Sequence, residues 1–219
     1  MTTEILYQGS MPVVVASLEQ NEVIRAESGA MVYMDATIDV EGKAQGGMLK
    51  GLGRMVTGES FFLQTLKASR GKGKVMLAPT NLGNIAEIQM TGKTWFLEKG
   101  AFLCSETGVT TSVKSQGLGK AFFSKEGLFI IRAEGHGKLF ISAFGSLHKL
   151  ELNNEEVIID NGHMVAWEDS LQYNLEKASK GLISSFTSGE GLVARVKGTG
   201  TIYIQTRNPD SFLSLVRTK

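Results

Sequence analysis

The chain has 219 residues, 42% hydrophobic and 21% charged, with 26 glycines against 3 prolines, which excludes a disordered polymer and marks a globular protein rich in turns. Lys and Arg number 23 against 22 Asp and Glu, net charge +1, and the signs are mixed along the chain, so no electrostatic footprint for nucleic acid or an anionic membrane is visible. A single cysteine, Cys104, excludes intrachain disulfides and fits a reducing compartment.

From Met1 to Glu22 no basic segment precedes an apolar core, and no stretch approaches the roughly 20 apolar residues that span a bilayer. The expected location is cytoplasmic. Strands are predicted at Val13–Val15 and Thr37–Val40 from period-2 alternation, and again at Phe61–Leu63, Leu128–Ile131 and Ile202–Ile204, all enriched in β-branched and aromatic residues.

Internal repetition governs this pattern. One block runs from Gly51 through Gly58, Glu59, Ser60 and Phe61 to Gly71 and Gly73, then Val75, Met76 and Leu77. A second runs from Gly117 through Lys125, Glu126 and Leu128 to Gly135 and Gly137, then Leu139, Phe140 and Ile141. The third runs from Gly181 through Gly189, Glu190 and Leu192 to Gly198 and Gly200, then Ile202, Tyr203 and Ile204. Each reads as a polar turn carrying Glu, an apolar run, a Gly-x-Gly turn and a second apolar run, the signature of a β-hairpin.

The glutamates at 59, 126 and 190 keep nearly the same spacing as an upstream element centred on Gly29, Gly100 and Gly162. Two landmarks sharing one period predict units at about 11–79, 84–146 and 147–207, with Pro79, Asn81 and Gly83 punctuating the first junction. No Pro-rich polar tether separates them, so the copies are expected to share a core within one domain spanning 1–219. After them, Asn208 caps and Pro209 opens a terminal helix at about 209–217, with Phe212, Leu215 and Val216 on one face. The expected fold is all-β: antiparallel sheets from three tandem hairpin-rich repeats of four to six short strands each, in pseudo-threefold arrangement, with a short C-terminal helix.

The repeated charged residues are Glu59, Glu126 and Glu190. Converging near a threefold axis, they would form a carboxylate site for a cation, a small ligand or acid–base chemistry; as Gly-Glu turns they need no ligand at all. His136, His148 and His163 lack metal-ligand spacing. Cys104 has no Cys-x-x-Cys partner and reads as a small buried side chain. No Gly-x-Ser-x-Gly elbow occurs. The glycines at 42, 46, 47, 51 and 53 lack the Gly-Lys-Ser/Thr ending of a phosphate loop and read as an inter-strand loop. No catalytic set and no cofactor is implied.

Apolar residues crowd among these glycines. Met48, Leu49, Leu52, Met55 and Val56 recur in kind as Leu118, Ala121, Phe122 and Phe123, and again as Leu182, Ile183 and Phe186. Solvated loops are polar, so these segments either cover an open end of the core or form an interaction surface. The expected partner is a second copy or another protein; a membrane contact remains open to the same segments.

Gly51 through Glu59-Ser60-Phe61, Trp95-Phe96-Leu97 leading to Gly100, and Asn161-Gly162-His163 with Trp167 together resemble the altered-inheritance-of-mitochondria family, a domain long of unknown function. The resemblance covers about Val13 to Pro209. It implies a fold like that of the tryptophan RNA-binding attenuator protein, and no established enzyme activity or catalytic residues. Eukaryotic members are associated with mitochondrial inner-membrane organisation; without a transit peptide in this sequence, that location is not carried over. The RNA-binding likeness is one of fold alone.

Overall fold

The computed structural model describes residues 1–44, 62–115, 129–177 and 192–216. Alternation builds the early strands. In β2 (Val13–Leu18) the residues Val14, Ala16 and Leu18 turn inward, and in β3 (Val23–Glu27) Ile24 and Ala26 do, since successive side chains leave a strand on opposite faces. Around them run β1 (Thr2–Leu6), β4 (Met31–Met34), β5 (Asp39–Ala44), β6 (Phe62–Lys67) and β7 (Gly73–Leu77).

The middle of the chain forms β8 (Ile85–Thr91), β9 (Trp95–Glu98), β10 (Phe102–Glu106), β11 (Val109–Ser115) and β12 (Phe129–Ser142). The last part forms β13 (Leu147–Asp160), a 3-10 turn at Asn161–His163, β14 (Met164–Glu168), β15 (Gln172–Lys177), β16 (Leu192–Gln205) and the helix α1 (Pro209–Val216). Asn208 caps α1 as expected, its Oδ1 accepting from the Asp210 amide at 2.9 Å. Phe212 tilts against Phe144 with ring centroids 5.3 Å apart.

Every ladder between these strands is antiparallel, in a four-stranded sheet β1-β2-β7-β4 and a twelve-stranded sheet. The pairings follow one rule in each unit. β6 pairs β3 and β5, and β7 pairs β2 and β4. In the second unit the first half of β12 pairs β9 and β11, and its second half pairs β8 and β10. In the third, the first half of β16 pairs β15 and the end of β13, and its second half pairs β14 and the start of β13. Two further ladders join neighbours: β3 to β10 and β9 to β14.

Two expectations need correction. Gly71-Lys72-Gly73 does link two strands, β6 and β7, but these pair with others rather than with each other. The other two Gly-x-Gly sequences are not turns: Gly135-His136-Gly137 lies inside β12 and Gly198-Thr199-Gly200 inside β16, both continuous strands of 14 residues. At these points the strand changes ladder partners, and Gly135, Gly137 and Gly198 have φ of +114°, +122° and +132°, a region side chains avoid. For the same reason the strands are not uniformly short. Among the described residues, the predicted units hold six, five and four strands counting from β2, because segments separate in the first fuse into long strands in the others.

Burial joins residues from distant parts of the chain. One cluster joins Val14, Ile24 and Leu66 to Leu103, Cys104 and Phe140; a second joins Trp95, Phe102 and Leu139 to Leu63 and Val165; a third joins Trp167, Val196 and Ile202 to Ile130. Trp167 stacks on Tyr173 at 4.4 Å and meets Phe96 at 5.9 Å. Burying one such side chain contributes about 1.5–3 kcal/mol.

Polar bonds join the segment after β12, the end of β16 and the 3-10 turn. Buried Gln205 accepts from the Phe144 amide at 2.9 Å through Oε1 and donates to the Gly162 carbonyl at 2.9 Å through Nε2. Gln205→Ala strips partners from both backbone groups and is expected to destabilise the fold by about 2 kcal/mol, read as a lowered urea midpoint with unchanged m-value.

Candidate functional site

The repeated glutamates and the apolar candidates all lie outside the described residues: Glu59, Glu126 and Glu190, and Met48, Leu49, Leu52, Met55, Leu118, Phe122, Phe123, Leu182, Ile183 and Phe186. Their flanks are described. The residue pairs Ala44 with Phe62, Ser115 with Phe129, and Lys177 with Leu192 are the last in register of the β5–β6, β11–β12 and β15–β16 ladders. Each apolar segment thus connects two paired strands at the same place in the ladder rule.

The histidines stand apart. His136 pairs across from Thr91 and His148 across from Ile204, while the His163 ring Nδ1 lies 2.7 Å from the Gln205 carbonyl. Among the described residues no three His, Cys, Asp or Glu side chains cluster to hold a metal. Cys104 is fully buried and burial pushes its thiol well up, opposite to what a nucleophilic thiolate needs.

Two sets of carboxylates escaped the sequence reading. Asp35, Glu106 and Glu168 each follow or end the strand beside a Gly-x-Gly bend. Asp35 Oδ2 accepts from the Lys74 amide at 2.8 Å and Glu106 Oε2 from the Lys138 amide at 3.1 Å. Glu168 pairs with Lys93 Nζ at 3.0 Å and accepts from the Ser170 hydroxyl. The second glycine of each bend makes room for this acidic strand end: a Cβ on Gly137 would sit 2.7 Å from Glu106 Oε2, and one on Gly200 3.3 Å from Glu168 Oε2.

The second set is Glu27, Glu98 and Asp160, each two residues before Gly29, Gly100 and Gly162. Each stands opposite a buried residue near the start of its ladder partner, Glu27 against Leu63 of β6, Glu98 against Ile130 of β12 and Asp160 against Val193 of β16. Asp160 Oδ1 accepts from the Gly162 amide at 3.0 Å. Among the described residues Glu98 Oε1 is sealed from solvent and finds no hydrogen-bond partner. Burial pushes the Glu98 carboxyl up to about 7, with the Lys99 amide pulling the other way, and pushes Glu27 up to about 6. The signal was in the sequence as an acid at a fixed offset from the landmark glycines.

An uncharacterized protein of Streptococcus pyogenes serotype M6 is 34% identical over 214 residues, covering 94% of this chain and 86% of the relative. The crystal structure of a Streptococcus pyogenes protein matches with a TM-score of 0.82 at 32% identity, covering 99% of this chain and 98% of that one. The family model described as mitochondrial biogenesis AIM24 matches residues 3–207. With nearly every strand inside that match, the chain belongs to the mitochondrial biogenesis AIM24 family.

Proposed function

We propose that the protein is a non-enzymatic scaffold or binding module, one domain of three related units, that acts through self-association or a protein partner by way of residues 48–56, 118–123 and 182–186. The observation that supports this reading is the placing of all three apolar segments between paired strands at corresponding ladder positions. Repetition multiplies a weak contact, since linked sites engage with a high effective concentration. The single buried thiol fits a reducing, cytoplasmic setting, and among the described residues no helix is long and apolar enough to cross a membrane.

The test is a variant carrying Leu52→Glu, Phe122→Glu and Ile183→Glu. Light scattering should report a smaller particle, or partner capture should fail, while circular dichroism stays native. A folded variant with unchanged size and unchanged partners overturns the reading.

A further inference from the structure

The ladder rule leaves one pairing unmade. The second strand of the first unit, β3, pairs the third strand of the second unit, β10; likewise β9 pairs β14. Their registers agree residue for residue about the landmark glycines. Cys104 faces Ala26, Ser105 faces Arg25 and Glu106 faces Ile24; Ala166 faces Leu97, Trp167 faces Phe96 and Glu168 faces Trp95. The same rule calls for the end of β13 to pair β4, and among the described residues no ladder joins them.

Among the described residues both edges are unpaired and apolar. In β10 and β14 the residues Leu103 and Val165 are 0% and 1% exposed, whereas their counterpart Val32 in β4 is 55% exposed, beside Met31 and Tyr33 at 37% and 43%. Ile158 on β13 is 43% exposed. Unprotected strand edges template pairing, and proteins usually blunt them with lysine, proline or a covering loop; β4 reads Met-Val-Tyr-Met and the end of β13 reads Val-Ile-Ile-Asp. β4 is also already shaped for the role. Its ladder with β7 shifts register between Met31 and Tyr33, as β10 shifts against β12 between Phe102 and Cys104, and β14 against β16 between Met164 and Ala166.

We propose that β4 of one copy pairs with the end of β13 of a second copy, repeating between chains the ladder that β3–β10 and β9–β14 make within one. The register places Tyr33 opposite the partner subunit's Ile159, Met34 opposite the partner subunit's Ile158 and Asp35 opposite the partner subunit's Val157. The contact is heterologous, so it propagates head to tail and ends either in a closed ring or in a filament. It uses neither the apolar segments of the proposed function nor any residue in them.

Two exposed or half-exposed substitutions test it. Val32→Asp puts a charge where Leu103 and Val165 are buried; Val157→Asp opposes the partner's Asp35 with a like charge. Native mass spectrometry of the wild type should give multiples of the 23.7 kDa chain, and each variant alone a single chain. An equimolar mixture of the two should give a two-chain species, because each supplies the edge that the other lacks. Met34→Cys with Ile158→Cys should cross-link between chains on oxidation. A wild type that is a single chain at every concentration, variants that assemble like the wild type, or a cross-link closing within one chain each overturn the proposal. Assembly retained by the Leu52→Glu, Phe122→Glu, Ile183→Glu variant supports it whatever becomes of the apolar segments.

Discussion

Replacing Gly135 with alanine is expected to destabilise the protein by about 3 kcal/mol or more, enough to bring urea unfolding to much lower concentration. Two effects add. The residue has φ +114°, which strains any L side chain, and its Cβ would lie 2.1 Å from the Gly108 carbonyl oxygen. That carbonyl is backbone and accepts from the His136 amide, so it cannot step aside without breaking the bend where β12 changes partners. Gly9→Ala is the control: φ is +87° but nothing lies within 4 Å, so strain acts alone, at about 1–2 kcal/mol. Equal losses at the two positions would show that the close approach to Gly108 carries no energy.

Wild-type stability is expected to fall as pH rises from 4.5 toward 7, and Glu98→Gln to remove most of that fall. Burial raises the folded-state value of Glu98 from the ordinary 4.5 to about 7. Below pH 4.5 folded and unfolded chains both hold the proton and the contribution is fully present. Between 4.5 and 7 the unfolded chain releases it while the fold retains it, so stability is lost as pH rises, by about 3 kcal/mol in all. Glutamine carries no charge to bury. At pH 8 the variant should be more stable than wild type by roughly 2 kcal/mol after allowing for its unpaired amide.

Glu27 leaves a residual slope between pH 4.5 and about 6, of the same sign. Glu22, held low by its hydrogen bond to the N-terminal ammonium, acts oppositely, losing its contribution as pH falls below the ordinary carboxyl range. Chemical denaturation at half-unit steps from pH 4 to 8 separates these slopes; parallel curves for wild type and variant would place Glu98 in water, contrary to its sealed Oε1.

The β-rich class, several strand positions and the terminal helix were legible because they rest on local chemistry, although Thr37 and Ile38, expected in a strand, precede β5. Alternation at Val13–Val15 and Ile202–Ile204 follows from the pleat, and the Asn208-Pro209 start of α1 from the orphan amides of a helix end. The tertiary structure alone decided which strands pair. Alternation assigns faces but not partners, so nothing in Val23–Glu27 distinguishes pairing with β4, its neighbour in sequence, from the observed ladders with β6 and β10.

Glycine was ambiguous for a related reason. Lack of a Cβ serves a turn and a close crossing equally, and only the approach of Gly108 to Gly135, or of Glu106 to Gly137, reveals the crossing. The shifted carboxyl of Glu98 depends on neighbours brought in from distant segments, such as Ile130 across the ladder. By itself the sequence determined a β-rich chain with a C-terminal helix, because periodicity and capping are local properties. The fold decided which strands pair: β3 joins β10 and β9 joins β14, while among the described residues β4 and the end of β13 lie at sheet edges, since backbone pairing is a long-range contact that no local pattern specifies.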